Sequence, residues 1–135
     1  MKQLVLENGL LLTDMEVEIK GKVLTLNRVL IDTGSASTLI SSDVAASFGI
    51  VAEDHDPIYR IYGVGGFEYV FSKVADAIKV GNQSVKHIQV EFGDMDYGFA
   101  IDGILGINVL KKLKAVINMN NLSIHTAEID RANMN

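Results

Sequence analysis

Val29-Leu30-Ile31-Asp32-Thr33-Gly34-Ser35-Ala36-Ser37-Thr38-Leu39-Ile40 is the stretch that decides how this chain is read. Three apolar residues run into an acid, and the acid is followed by Thr33, Gly34 and small polar residues. The apolar run predicts a buried strand. Asp32 then falls at the inner end of a core strand, where a carboxylate is costly unless it is hydrogen-bonded or coupled to another group. Gly34 lets the backbone take a positive φ and approach a neighbour closely. Amides at such a turn can donate to the carboxylate, and Ser35, Ser37 and Thr38 add hydroxyls nearby.

Upstream, Met15-Glu16-Val17-Glu18-Ile19 alternates apolar and acidic residues, which predicts a half-buried strand. Lys20-Gly21-Lys22 turns it, and residues 23–31 return toward Asp32. Before these, Leu4, Leu6 and Leu10 to Leu12 predict one or two short strands about an Asn8-Gly9 turn. Downstream, Ser41, Ser42 and Asp43 offer N-cap side chains for a short helix over 44–48, with Gly49 as its stop. Residues 51–57 read as a polar loop. Two runs of β-formers, 59–62 and 67–71, flank Gly63-Val64-Gly65-Gly66 and predict a hairpin. Further strands are predicted over 74–80 and 85–92, joined at Gly81-Asn82. An acidic loop over 93–98 leads to a second apolar strand broken by glycines, 99–106. Asn108 can cap a helix running to Lys114, and 115–117 with 122–124 predict a closing hairpin. The tail from 128 is polar and expected to be loose. Short strands with two short helices, and neither repeat nor linker, predict one compact all-β domain over 1–135 with its core at about 15–126.

A length of 135 residues suffices for one core, and 48% hydrophobic residues with a single proline argue against disorder. Cysteine is absent, which removes disulfides, thiolate metal sites and cysteine nucleophiles. His55, His87 and His125 are scattered without ligand spacing, so no metal and no other cofactor is expected. A net charge of −5 argues against general nucleic-acid binding. No apolar run approaches the ~20 residues of a membrane helix. The first residues make a poor signal peptide, and a cytoplasmic location is the default expectation.

Asp32-Thr33-Gly34-Ser35 after an apolar strand resembles the active-site loop of the aspartic peptidases, and the single-lobe, retropepsin-like branch is most similar. The resemblance covers most of residues 17–124. The glycine-rich hairpin at 63–66 resembles the flap that closes over substrate. Ile101-Asp102-Gly103-Ile104-Leu105-Gly106 resembles the segment that crosses beneath the catalytic loop, and Asn108-Val109-Leu110 begins the short helix and last strands. Asp-Thr-Gly alone is a weak signal, whereas the ordered set is fairly specific. Ser35 stands where retroviral enzymes carry Ala, and Ile107 where they carry an Arg that supports the dimer. The pattern is therefore closer to cellular or bacterial single-lobe homologues.

The resemblance implies a closed, barrel-like acid-protease lobe active as a C2 homodimer, because one Asp-Thr-Gly supplies one carboxylate and the chemistry needs two. Asp32, Thr33 and Gly34 would form the catalytic loop. Ser35 would donate to the outer carboxylate oxygen. Ser35 would also stand with Tyr62, Gly63, Val64, Gly65 and Gly66 among the residues that bind the polypeptide substrate, the hairpin largely through main-chain hydrogen bonds. Asp102 reads as a turn or cap residue rather than a catalytic one. A second reading is a dimeric peptide-binding or structural domain with this fold that does not cut.

Overall fold

The computed structural model describes residues 1–63, 66–96 and 98–127. Residues 64 and 65 of the hairpin turn and the tail 128–135 lie outside these.

Alternation builds the first part of the sheet. β1 (Lys2–Gln3) and β2 (Val5–Glu7) are short. β3 (Leu10–Ile19) buries Met15, Val17 and Ile19 and turns Asp14, Glu16 and Glu18 outward. β2 meets β3 across Asn8 and Gly9, both with φ > 0, and β3 meets β4 (Lys22–Ile31) across Lys20 and Gly21, likewise both positive. Two consecutive positive φ values are what a primed two-residue hairpin demands. β4 delivers Val29 and Ile31 to the core and ends at Ile31, directly before Asp32.

The chain then folds back across itself. β5 (Leu39–Ser41) leads into α1 (Ser42–Ser47), whose first turn is capped by the Ser41 hydroxyl accepting from the Val44 amide. β6 (Ile58–Gly63) pairs with β7 (Gly66–Val80), and β7 with β8 (Gln83–Gly93). β9 (Gly103–Leu105) inserts between β4 and β5, parallel to the first and antiparallel to the second. α2 (Ile107–Lys112) follows, then β10 (Ala115–Asn118) and β11 (Ser123–Thr126), which form a small sheet with β1. The large sheet runs β2-β3-β4-β9-β5-β8-β7-β6, and a further β3–β7 pairing closes its middle into a ring. The all-β, barrel-like expectation with two short helices holds.

The main core fills this ring, with Val17, Leu24, Leu26, Val29, Ile78, Val90, Phe92 and Leu105 all shut off from solvent. Phe71 stacks on Phe92 at 4.9 Å between centroids. A second, smaller apolar cluster joins Leu12, Leu39, Val70, Met95 and Ile101, flanked by Leu10, Leu30, Ile61 and Ile104. Truncating a core side chain such as Phe92 to Ala costs about 3–5 kcal/mol.

Four local expectations change. The strands expected over 67–71 and 74–80 are one continuous β7, because the intervening Ser72 and Lys73 are satisfied where they stand. The Ser72 amide donates to Pro57 O at 3.0 Å, and the Lys73 ammonium is matched by two acids. Of the stretch 99–106 only Gly103–Leu105 is strand, since the residues before it bend around Asp102. The second helix starts at Ile107, so Asn108 lies within it rather than capping it. Gly34 is not at positive φ, and its requirement is spatial.

Candidate active site

Asp32 is half-buried at the point where β4 leaves the sheet. Its amide donates to Leu105 O at 3.0 Å, which extends the parallel β4–β9 pairing by one residue. Its Oδ1 accepts from the Gly34 amide at 2.9 Å, and its carbonyl accepts from the Ser35 amide at 3.1 Å. The carboxylate is therefore oriented by its own turn. A Cβ on Gly34 would sit 3.2 Å from Oδ1, so any larger residue there crowds the acid. Among the described residues Oδ2 has no hydrogen-bond partner. Thr33 and Gly34 are exposed.

The loop is fixed from beneath by the chain that follows β9. Gly106 passes so close that a Cβ there would lie 2.0 Å from Ser37 O and 2.9 Å from Ser35 O. That approach lets the Ile107 amide donate to Ser35 O at 2.8 Å. The fully buried Thr38 completes the clamp: its hydroxyl accepts from the Gly106 amide at 3.1 Å and donates to Asn108 Oδ1 at 2.8 Å. Asn108 Nδ2 in turn donates to Gln89 O on β8 at 3.0 Å. Thr38 and Asn108 were not expected as a pair. Only the crossing of segments 70 residues apart brings them together, and no local pattern encodes that.

Ser35 departs from expectation. Its hydroxyl proton goes to Ser37 O at 2.8 Å, within the loop, and not to the carboxylate. Asp102, read as a turn or cap residue, instead braces the distant strand β4. Its carboxylate accepts from the Asn27 and Arg28 amides at 3.1 and 3.2 Å, and its amide donates to Arg28 O.

The β6–β7 hairpin has two unlike faces. Register pairs Arg60 with Tyr69, Ile61 with Glu68, and Tyr62 with Phe67, so alternate pairs share a face. Tyr62, Phe67 and Tyr69 form an exposed ring cluster at 6.2 and 5.7 Å, with the Arg60 guanidinium 5.5 Å from Tyr62 and 5.1 Å from Phe67. The Tyr62 side chain thus packs on this outer face. Ile61 is on the other face and packs against the smaller apolar cluster, which includes Leu30 and Ile104 beside Asp32. Gly63 and Gly66 close the described part of the hairpin by pairing with one another. The expected contributions of Val64 and Gly65 lie outside the described residues.

Ionic contacts fix the base of the hairpin. Lys73 of β7, only 5% exposed in its side chain, contacts Asp56 at 2.5 Å and Glu53 at 2.9 Å in the loop before β6. Lys20 adds a contact to Glu53 at 2.6 Å. Hydrogen bonds from Lys20 and then Lys73 hold Glu53 down to about 2. Burial pushes Asp56 up, but the Lys73 hydrogen bond, the Glu53 amide and the Lys73 charge outweigh it and leave the carboxyl below its ordinary value. Burial likewise opposes the charge on Lys73, and the two acids overcome it and raise its pKa.

Among the described residues no group of three His, Cys, Asp or Glu is placed to hold a metal ion, and no helix is long and apolar enough to cross a membrane. No curated protein matches the chain. Residues 15–109, from within β3 into α2, match the family model described as aspartyl protease, a family of the retropepsin-like clan. That segment contains the Asp32 turn, the β6–β7 hairpin and the Gly106 crossing, and the chain belongs to the aspartyl protease family.

Proposed function

We propose that the protein is an aspartic endopeptidase, a single domain active as a C2 homodimer in which Asp32 of one copy meets Asp32 of the other. The observation that carries this reading is the state of Asp32. One carboxylate oxygen is held by the Gly34 amide, the other has no partner among the described residues, and the loop beneath is braced by Gly106 and Thr38. A half-buried acid on so rigid a support fits a group that must meet a second carboxylate in register.

Two carboxylates at ~3 Å cannot both ionise, so the pair holds one proton. This is established behaviour of aspartic proteases in general. The ionised member takes a proton from a water, the water oxygen attacks the scissile carbonyl carbon, and the protonated member donates to the carbonyl oxygen. Collapse of the tetrahedral intermediate breaks the C–N bond and delivers a proton to the leaving amine. Thr33, exposed beside the acid, is available to the partner's backbone. Main-chain groups at Tyr62, Gly63 and Gly66, with Val64 and Gly65, would hold an extended peptide, as added-strand recognition does.

Replacing Asp32 with Asn tests the reading. The variant should sediment as the wild type does and should cleave no member of a peptide library. Cleavage that survives the substitution refutes the assignment, and an intact dimer that binds peptides without Asp32-dependent cutting favours the non-cutting domain. Hydroxyl-bearing peptide mimics of the tetrahedral intermediate should bind more tightly than matched substrates.

A further inference from the structure

The inner face of the flap-like hairpin carries an acid. We infer that Glu68 is a specificity-determining residue that selects a lysine or arginine side chain of the substrate, an inference that rests on the peptidase reading above. Glu68 pairs across the hairpin with Ile61 and lies two residues from Val70 on the same strand face. Both Ile61 and Val70 pack into the smaller apolar cluster, which extends through Leu30. Leu30 stands two residues before Asp32, so the apolar wall that Ile61 and Val70 share runs toward the candidate catalytic acid.

The half-buried Glu68 reaches toward Gly93. One of its carboxylate oxygens lies 3.7 Å from where a Cβ of Gly93 would stand, and Leu39 Cδ1 lies 3.6 Å from the same point. The carboxylate thus shares the space over Gly93 with two apolar side chains, Val70 and Leu39. That combination suits a side chain with an apolar stem and a cationic head, which is the build of Lys and Arg. Asp94 and Asp96, both exposed, follow Gly93 in the chain. A carboxylate offers about four acceptor positions, so a contact made within the chain leaves capacity for a substrate cation.

The test pairs two measurements on the full chain. Peptides that differ only by lysine or norleucine at each position around the scissile bond are cleaved by the wild type and by Glu68→Gln. The same peptides are bound by Asp32→Asn, alone and combined with Glu68→Gln. One position should show a lysine preference of about tenfold to hundredfold in kcat/KM, the range of one charge-assisted hydrogen bond, and Glu68→Gln should abolish it. Cleavage of norleucine peptides should change far less between the two proteins than cleavage of lysine peptides. Glu68→Lys should turn the preference at that position toward glutamate. Asp32-dependent cleavage without a lysine preference, or with one that survives Glu68→Gln, overturns this inference and leaves the peptidase reading standing. Absence of Asp32-dependent cleavage overturns the peptidase reading, and the binding arm still decides for or against Glu68.

Discussion

Replacing Gly106 by Ala isolates the contact on which the candidate site depends. Gly106 has φ −97 and ψ −177, a conformation open to any residue, so the substitution adds no backbone strain of its own. What it adds is a methyl group 2.0 Å from Ser37 O, 2.6 Å from Ser37 C and 2.9 Å from Ser35 O. All three are backbone atoms of the loop that carries Asp32, so no rotamer change relieves the clash. The loop must retreat by about 1 Å to restore van der Waals separation. Overpacking of this kind costs about 1–3 kcal/mol. The retreat also stretches the Ile107 amide bond to Ser35 O and the Gly106 amide bond to the Thr38 hydroxyl, each worth about 0.5–1.5 kcal/mol. The sum is about 2–6 kcal/mol, a large share of a typical stability of about 5–15 kcal/mol. At about 4 °C per kcal/mol for a domain of this size, the melting temperature should fall by about 8–24 °C. A displacement of about 1 Å at a catalytic group can also cost about a hundredfold in rate. The assay is thermal unfolding by circular dichroism, with peptide cleavage measured well below the melting transition. Gly9→Ala supplies the contrast, because its added methyl meets nothing within 4 Å and suffers only from φ +79, a penalty of about 1 kcal/mol. A Gly106→Ala protein that melts within a degree or two of the wild type and cuts equally well would show that the loop is not held in this way.

Three other perturbations have defined outcomes. Lys73→Met leaves Asp56 and Glu53 without their shared cation and should destabilise by about 2–4 kcal/mol, somewhat below the usual range for a broken buried pair because a cavity of about 350 Å³ beside it gives solvent access. Adding Asp56→Asn to that variant should recover part of the loss in urea melts, and no recovery would contradict the pairing. Because Glu53 and Asp56 are more acidic in the folded chain than their ordinary values of 4.5 and 3.8, their contribution is intact above those values and is lost as pH falls below them, for Glu53 toward about 2. Stability of the wild type should therefore drop more steeply in that window than that of a Glu53→Gln, Asp56→Asn, Lys73→Met variant, and parallel profiles would count against the cluster. Asp102→Ala orphans the Asn27 and Arg28 amides, and chemical denaturation should show a loss of about 1–3 kcal/mol while kcat of the folded fraction is kept. A collapse of kcat alone would instead make Asp102 catalytic.

Much of this fold could be read from the chain because its local signals agree. The Met15 to Ile19 alternation, the Asn8-Gly9 and Lys20-Gly21 turns, and the Val29-Leu30-Ile31 run before Asp32 each name one structure. The misreadings share a cause, which is a distant partner. Ser72-Lys73 interrupts the run of β-formers, and the acids that let Lys73 be buried lie 17 and 20 residues away. Asn108 looked like a cap because Asn favours that position, but Gly106 must pass under the loop and the helix starts directly after it. Ser35 was expected on the carboxylate, yet the Ser37 carbonyl takes its proton. Thr38 reads as one more small polar residue until β9 crosses beneath it. Glu68 carries no signal of its own within the 67–71 run, and only the packing of its neighbours Ile61 and Val70 reveals which side it is on.

Subunit mixing tests most directly whether two copies of Asp32 form the reacting pair. Wild-type protein is unfolded and refolded together with increasing amounts of Asp32→Asn, and cleavage is measured per wild-type subunit. Random pairing at equal amounts leaves about a quarter of the dimers with both acids, so activity per wild-type subunit should fall to about half and then toward zero in excess variant. Activity per wild-type subunit that stays constant at every ratio would mean that each chain works with its own acid alone.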